Sequence, residues 1–355
     1  METKNDGFER GGSGLSRREL LKGMAYGGLL LTGAASMLSA CGRQVPEIDD
    51  PRADDLEGEE RETTEARAPT YRLPTEDGDW IPATSHVARL PTDQGRIRID
   101  GVGTFGFDSN QVETVRPDIF RPGHFSLFDI LVQLSEKGDL ALDYHFDEAM
   151  DTNVIDAVDG AEGWWYNAHY PAGWFEASVT RMDQYPYKNG TVLRLDSISE
   201  DRLALIYQSY REEVQRLAAN GGQVVIPDLT IRAPSGRIEF QDVVVTPHDA
   251  RSDMLQPGVV TALDAIISLA EQGRISDLEL TWYERIARAD PVDSFWVERI
   301  NNDIASGGCG FVYECGPREF AGFAGAHNHI PADVQVSRSP EYALWFWICL
   351  GRAGL

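Results

Sequence analysis

The feature of this sequence that most constrains its fold is an internal repeat. Residues 122–138 align with residues 257–273 at a constant offset of 135 positions and without a gap. Both segments begin with Pro-Gly, carry an Asp three residues after a Ser or Thr, and end on Gly. A constant offset over a whole element is typical of a duplicated structural unit. We therefore predict one fold that occurs twice in the chain.

Each aligned segment is predicted to be a capped helix. Ser126 and Thr261 are N-cap residues, and Asp129 and Asp264 occupy the position that completes a capping box. Apolar residues recur on one helical face in both segments. These residues are Leu127, Ile130, Leu131 and Leu134 in the first segment, and Leu263, Ile266, Ile267 and Leu269 in the second.

The similarity extends in both directions from the two helices. Upstream, residues 89–91 align with 232–234 and residues 95–97 with 236–238; downstream, residues 163–166 align with 310–313 and residues 169–172 with 329–332. Alternation and β-branched or aromatic content predict strands in both copies. The predicted strands cover 96–102, 154–158, 164–166 and 191–195, then 237–245, 295–300, 311–314 and 343–350.

One helix on a small mixed sheet is a β-grasp-like unit, so the predicted fold class is α+β, with two tandem copies of this unit joined by a connecting helix. Apolar residues at helical spacing over 200–219, ended by Gly221-Gly222, predict that helix. The expected organisation is a signal peptide (1–40), an acidic tether (41–85), a first copy (86–198), the connecting helix (199–222) and a second, divergent copy (223–355).

The N-terminus predicts export and lipidation. Arg17 and Arg18 precede an uncharged, Gly-rich run over 23–40, which is typical of a twin-arginine (Tat) signal peptide. The run ends in Leu-Ser-Ala-Cys and resembles the lipobox of bacterial lipoproteins, in which the cysteine, here Cys41, becomes the lipidated first residue. We therefore expect a protein of the cell envelope, exported by the Tat machinery and anchored by lipid to the outer face of the membrane.

The charge excludes one class of partner and predicts a tether. The chain carries 57 acidic against 32 basic residues, a net charge of −25. Such a chain repels phosphate backbones, so we do not expect nucleic-acid binding. Thirteen of the acids and four Arg lie between Glu47 and Asp79 with few large apolar residues, which predicts a disordered spacer.

The first copy resembles a known domain family. The Leu-Asp-rich helix is followed by Val154–Gly160 (VIDAVDG), Gly163–Asn167 (GWWYN) and Asn189–Val192 (NGTV). This order is similar to the transcobalamin C-terminal-like domain family over residues 120–198, and more faintly over 255–350. The resemblance implies a β-grasp-like fold, a ligand-contacting role such as that of the lid in cobalamin carriers, and an occurrence on bacterial envelope lipoproteins.

A block of aromatic residues is the leading candidate ligand site. On an alternating strand Trp164 and Tyr166 share one face and Trp165 takes the other, so the block would either stack on a planar ligand or sugar, or fill the core. His169 would add a polar or ligating contact. The predicted ligand-binding residues are Trp164, Trp165, Tyr166, His169, Tyr170 and Trp174.

Histidines and cysteines supply a second candidate site. His169 and His329 occupy matching places in the two copies and would hold a metal or haem if they meet. Cys309 and Cys315, with His327 and His329, form a Cys2His2 inventory; a local Cys309–Cys315 disulfide and two unlinked thiols are the alternatives. Cys349 is predicted to be a small buried apolar residue.

These features predict a surface-tethered, non-enzymatic lipoprotein that binds a small ligand or an envelope protein, with a corrinoid, haem or a metal ion as candidate cofactors. Asp143, His145, Asp147 and Glu148 form a charged cluster, but no catalytic motif is present and no catalytic residue is predicted. The alternative from another class is an accessory subunit of an exported redox complex that holds a metal or haem. A purely structural interaction scaffold is the third hypothesis.

Overall fold

The computed structural model describes residues 71–73, 86–169, 175–176, 178–286, 290–322, 324–326 and 330–349. All of these residues belong to one compact unit, Glu62–Leu355. The predicted signal peptide with Arg17 and Arg18, the predicted lipidation site Cys41 and most of the tether lie outside these residues.

Three α-helices form where the sequence predicts them: α1 (Leu127–Glu136), α2 (Glu200–Ala219) and α3 (Ala262–Glu271). The capping boxes of α1 and α3 are confirmed, because Ser126 and Thr261 exchange hydrogen bonds with Asp129 and Asp264. Within the described ranges, no helix is long and apolar enough to cross a membrane.

Strands and helices together make an α+β fold, as predicted. The strands up to α2 are β1 (Tyr71–Leu73), β2 (Gln94–Ile99), β3 (Gly103–Asp108), β4 (Leu142–Asp147), β5 (Thr152–Val158), β6 (Trp164–His169), β7 (Phe175–Glu176) and β8 (Val192–Ser197). The strands after α2 are β9 (Val224–Ala233), β10 (Gly236–Val245), β11 (Leu278–Tyr283), β12 (Ser294–Ile300), β13 (Asp303–Ile304), β14 (Cys309–Gly316) and β15 (Tyr342–Cys349).

The main sheets on either side of α2 share one strand order. The sheet of the first half (residues 86–198) runs β3-β2-β8-β6-β7, and that of the second half (residues 223–349) runs β10-β9-β15-β14. In each, the last strand pairs in parallel with the first strand of an N-terminal hairpin and antiparallel with the aromatic strand, β6 or β14. The two halves therefore place corresponding strands at corresponding sheet positions.

This order corrects two neighbouring alignments made from the sequence. Residues 89–91 precede β2, whereas residues 232–233 are the end of β9, so the match of 89–91 with 232–234 was wrong. Residues 95–97 lie on β2, whereas residues 236–238 lie on β10, which corresponds to β3. The counterpart of β2 is β9, because β9 pairs in parallel with β15 as β2 does with β8. The Gly-Arg-Ile match was wrong because three residues after a turn cannot distinguish the two strands of a hairpin.

The second hairpins of the two halves also correspond. The β4–β5 hairpin has its register shift between Asp143 and Tyr144, and the β11–β12 hairpin has its shift between Glu279 and Leu280. A shared bulge fixes the equivalence of β4 and β11 residue by residue. Leu142, Asp143, Tyr144 and Phe146 correspond to Leu278, Glu279, Leu280 and Trp282.

The strand β1 extends only the second of these hairpins. It pairs antiparallel with β11, and its Tyr71 is buried. The prediction of a disordered tether through residue 85 is therefore wrong for Tyr71–Leu73. Disorder was predicted from the acidic residues on either side of this Tyr-Arg-Leu triplet. Within the triplet, Tyr71 pairs with Leu280 and Leu73 with Leu278. These apolar contacts offset the entropy lost when the triplet is ordered.

The halves meet along two corresponding segments, one before each of α1 and α3. Phe120 and Leu255, which are 135 positions apart, form an antiparallel bridge. The Arg121 N–H donates to the Met254 carbonyl at 3.0 Å, and the Gln256 N–H donates to the Ile119 carbonyl at 2.8 Å. The donors of the two bonds are 135 positions apart, and so are their acceptors, so the second bond repeats the first with the two halves exchanged. The junction therefore has local two-fold pseudosymmetry.

Candidate functional site

A buried arginine begins each junction segment and organises a cluster of carboxylates. Arg116 donates to Asp118 at 2.7 Å, to Asp151 at 3.0 Å and to Asp183 at 2.9 Å. Asp183 is buried and also accepts from the Thr152 hydroxyl at 2.7 Å. A guanidinium that donates to several carboxylates at once satisfies its own buried N–H groups and offsets part of their negative charge.

The second half repeats this cluster. Arg251 donates to Asp253 at 2.9 Å and to Asp333 at 3.0 Å, and both carboxylates are buried. Burial alone would raise the pKa of Asp253, but the charge and hydrogen bonds of Arg251 outweigh it and hold that pKa below its ordinary value. Asp293 adjoins this cluster just before β12, as Asp151 adjoins the first just before β5, and both have positive φ angles of 44° and 50°.

One basic side chain of each half, Lys188 or Arg338, lies beside the cluster of the other half. Lys188 donates to the Ser294 hydroxyl at 3.2 Å and to the Val292 carbonyl. Arg338 of the second half lies 2.7 Å from Asp151 of the first. Burial and the charge of Arg251 lower the pKa of Lys188 to about 7, against the opposing effect of nearby aspartates.

The two clusters differ in what covers them. Residues 71–73 and 86–90, which we name the arm, lie across the second half. The Ala88 N–H donates to Asp253 at 2.8 Å, and the Arg89 guanidinium donates to Asp293 at 2.8 Å. The His86 ring stacks on Trp282 with the ring centroids 5.1 Å apart. The arm thus closes the surface above the second cluster.

The corresponding surface of the first half is exposed. Phe146 is 47% exposed where its counterpart Trp282 is 4% exposed, and Tyr144 is 39% exposed where Leu280 is fully buried. The side chain of Asp118 is 57% exposed, against 3% for Asp253. We name this surface the open face; its residues are Asp118, Asp143, Tyr144, Phe146 and Asp151.

The geometry beneath the open face is otherwise the same as beneath the arm. The Arg116 guanidinium lies 5.3 Å from the centroid of the Phe146 ring, and the Arg251 guanidinium lies 5.2 Å from that of Trp282. The exposed Phe146 ring therefore makes a cation–π contact with a buried arginine. His145, on the same strand, contacts the Asp156 carboxylate at 2.8 Å, so it does reach a carboxylate.

The structure places the predicted aromatic site in the core. Trp164, Trp165 and Tyr166 are buried, and each has a hydrogen-bond partner: the indole groups donate to the Ala161 and Ser178 carbonyls, and the hydroxyl donates to that of Thr180. The cavity that they line has a volume of about 10 Å³, room for about one water molecule. Binding of a planar ligand by these rings stays a prediction and would require them to leave these positions.

The remaining predicted ligand residues give partial answers. His169 is half-buried at the end of β6, where it pairs in register with Val192 of β8. Tyr170, Trp174, His327 and His329 lie outside the described residues, so whether His169 and His329 meet stays a prediction.

The cysteines pair differently from the prediction. Cys309 forms a disulfide with Cys349, which lies directly opposite it across β14 and β15. The Cys309–Cys315 disulfide is wrong because both residues lie on β14, where six residues span about 20 Å. Cys349 is exposed rather than buried.

The same pairing removes the thiolate of Cys309 from the predicted metal site. Cys315 is buried and accepts a hydrogen bond from the Gln335 amide at 3.1 Å. Burial raises the pKa of its thiol, which opposes the thiolate form that metals require. Within the part of the chain that the structure describes, no three metal-ligating side chains come together.

Comparison with protein-family models, with curated proteins and with solved structures finds no match.

Sequence reasoning missed the residues that make the clusters. Arg116-x-Asp118 and Arg251-x-Asp253 stand at the same offset of 135 as the two helices. Extending the gapless alignment six residues upstream from residue 122 would have found them. The carboxylates of Asp183 and Asp333 follow the helices at different spacings and carry no comparable signal.

Proposed function

We propose that this chain is a surface-tethered, non-enzymatic lipoprotein of two tandem β-grasp-like units, in which the first unit binds a partner polypeptide through the open face. The common strand order and the shared bulge of the two halves support the duplicated unit. The twin-arginine pair and the lipobox-like sequence at Cys41 support export by Tat and attachment to the outer face of the membrane.

One observation carries the binding role: a surface that the arm covers in the second half is exposed in the first half. Adjacent exposed aromatic rings are uncommon on a surface without a partner, and aromatic residues are enriched at the centres of protein interfaces. Tyr144 and Phe146 are such a pair, and Asp118 and Asp151 border them. The open face therefore has an apolar centre and a charged rim.

The small-molecule alternatives have less support. A corrinoid or haem bound at β6 would need Trp164 and Trp165 to give up hydrogen bonds of 2.7 Å each within the core. An accessory subunit that holds a metal or haem would rely on His169, His327 and His329, because Cys309 is in a disulfide. Among the described residues, no exposed surface supports either of these two alternatives.

A site-specific photo-crosslinker tests the proposal. We would place the crosslinking amino acid at Phe146 in the full chain, express it in cells that export it, irradiate them and identify the adducts by mass spectrometry. Ile304 is the matched control, because it is 46% exposed and lies on a strand of the second half. We expect one defined polypeptide segment crosslinked at position 146 and not at 304.

Two outcomes would overturn the proposal. The first is the absence of any polypeptide adduct at position 146, and the second is the same set of adducts from both positions. A coloured or metal-containing protein, found by absorption spectroscopy and elemental composition of the exported chain, would favour the redox alternative instead.

A further inference from the structure

The arm shows, within this chain, what kind of segment a surface like the open face accepts. Arg72 lies opposite Glu279 in the β1–β11 pairing, and its guanidinium contacts that carboxylate at 3.0 Å. On either side of Arg72, Tyr71 and Leu73 pair with Leu280 and Leu278. The occupant of the β11 edge is thus an extended apolar–Arg–apolar triplet.

The edge of β4 carries corresponding chemistry at the corresponding positions. Asp143 corresponds to Glu279, the residue that faces Arg72 of β1. The edge of β4 therefore has an acidic residue at the position that, on β11, faces an arginine. Leu142 and Tyr144 flank it where leucines flank Glu279 on β11. All six residues of β4 are at least partly exposed, whereas five of the six residues of β11 are buried. A strand edge of this kind pairs with extended peptides through backbone hydrogen bonds.

The second part of the arm has counterparts on the open face as well. Phe146 offers a ring where Trp282 receives His86. Asp118 corresponds to Asp253, which accepts a hydrogen bond from the Ala88 N–H. Asp151 corresponds to Asp293, which accepts one from the Arg89 N–H. The open face therefore has a corresponding residue for each of the four residues, Asp253, Asp293, Glu279 and Trp282, that the arm contacts in the second half.

Charge decides between another protein and a second copy of this chain as the occupant. Asp118 and Asp151 are paired with Arg116 and Arg338, and Asp143 and Asp147 add two further carboxylates on β4, so the face attracts a basic segment. A second copy brings its own net charge of −25, which opposes association of two such chains. A basic segment of a different protein is free of that repulsion.

We infer that the open face binds an extended, arginine-containing segment of another protein, which adds a strand to the edge of β4. Its apolar–Arg–apolar triplet lies against Leu142, Asp143 and Tyr144. A ring further along the segment stacks on Phe146, and a second arginine reaches Asp151. This inference rests on the proposed function and specifies the chemistry of the partner.

The arm itself supplies the probe. A fluorescent peptide in which residues 69–73 and 86–91 are joined by a neutral Gly-Ser linker, which leaves out the acids Glu76, Asp77 and Asp79, would be titrated with the full chain, and binding would be followed by fluorescence anisotropy. Asp143→Lys and Phe146→Asp in the full chain are each expected to weaken binding about tenfold or more, the loss of one charged or ring contact at an interface centre. The peptide with Arg72→Glu and Arg89→Glu is expected to bind at least as weakly.

Asp100→Lys and Ile304→Asp are the matched controls, because both residues are exposed and neither lies on the β4–β5 hairpin. Neither substitution is expected to change peptide affinity. Circular dichroism of every variant shows whether its fold is kept, and only folded variants are compared.

Three results would overturn the inference: affinity unchanged by both open-face substitutions, no binding of the peptide at all, or concentration-dependent dimerisation of the chain that Phe146→Asp abolishes. The last result would assign the face to a second copy. If the peptide fails to bind while a crosslink at position 146 persists, the partner's chemistry is wrong and the proposed function still stands.

Discussion

Phe120 and Leu255 lie opposite each other in the bridge that joins the two halves, although 135 positions separate them in the chain. Four residues before each of them stands the buried arginine of a cluster, Arg116 or Arg251. The junction, the clusters and the helices thus follow one repeat. Buried charge beside this junction makes the stability of the fold depend on complete ion pairing.

Arg251→Met is expected to lower the free energy of unfolding by about 3–5 kcal/mol, because it leaves the buried carboxylates of Asp253 and Asp333 without their shared cation. Urea unfolding followed by circular dichroism measures the change. The double variant with Asp333→Asn is the control, and it should recover part of the loss because only the Asp253 carboxylate then lacks its cation. A loss below about 1 kcal/mol in the single variant would show that water or Lys188 already compensates Asp333.

Lys188 is expected to make stability rise with pH above neutrality. Its pKa is about 7 in the folded chain against 10.5 for an ordinary lysine, so between these values the unfolded chain binds more protons than the folded chain. The free energy of unfolding therefore gains up to about 1.4 kcal/mol per pH unit from this group.

Urea unfolding at pH 7, 8 and 9 measures that slope as the difference between the parent chain and Lys188→Arg. Arginine keeps the positive charge that its counterpart Arg338 carries, but it does not titrate in this range. The prediction fails if the difference between the two proteins is the same at all three pH values.

The Cys309–Cys349 disulfide closes a loop of 40 residues and is expected to stabilise the fold by about 4 kcal/mol at most. A paired Cys309→Ser, Cys349→Ser variant should therefore lose about 2–4 kcal/mol of unfolding free energy. Cys315→Ser is not a suitable control because that thiol is buried, so the parent chain under reducing conditions serves instead. Equal stability of the oxidised and reduced parent chains would contradict the prediction.

Tyr71→Ala is expected to release β1 from β11 without unfolding the second half. Tyr71 is buried against Leu280, whereas Arg72 on the same strand is exposed, and Glu279, with which it pairs, keeps a second ion pair with Arg299. Hydrogen–deuterium exchange should rise at the amides of β11 in Tyr71→Ala and much less in Arg72→Ala. Equal exchange in the two variants would show that the apolar contact does not hold the arm.

The elements that local sequence controls were predictable. The capping boxes at Ser126 and Thr261, with the helical spacing that follows them, are enough to predict α1 and α3. Short apolar runs indicate the existence of the central strands, but not which strand of a hairpin each one is, as residues 236–238 show. Strand identity depends on pairing across the sheet, and three residues contain no information about that.

The candidate site was less predictable because its members come from distant parts of the chain. The Trp164–Tyr166 strand reads equally as a ligand platform or as core, and only its packing under α2 decides. The exchange of Lys188 and Arg338 between the halves depends on how the halves meet. The open face is recognised only by comparison with a surface that another part of the chain covers.

The reciprocal junction has an implication for the history of the chain. The backbone hydrogen bonds that flank Phe120 and Leu255 occur twice with the roles of the halves reversed, as in an isologous interface between identical subunits. A protein with a single copy of the unit could form this same interface as a homodimer, with its basic residue reaching the partner's cluster. In such a homodimer, each subunit would have its own N-terminal arm to cover its own surface. Gene fusion would leave a chain with one N-terminal arm and two such surfaces, so that one surface is covered and the other is exposed.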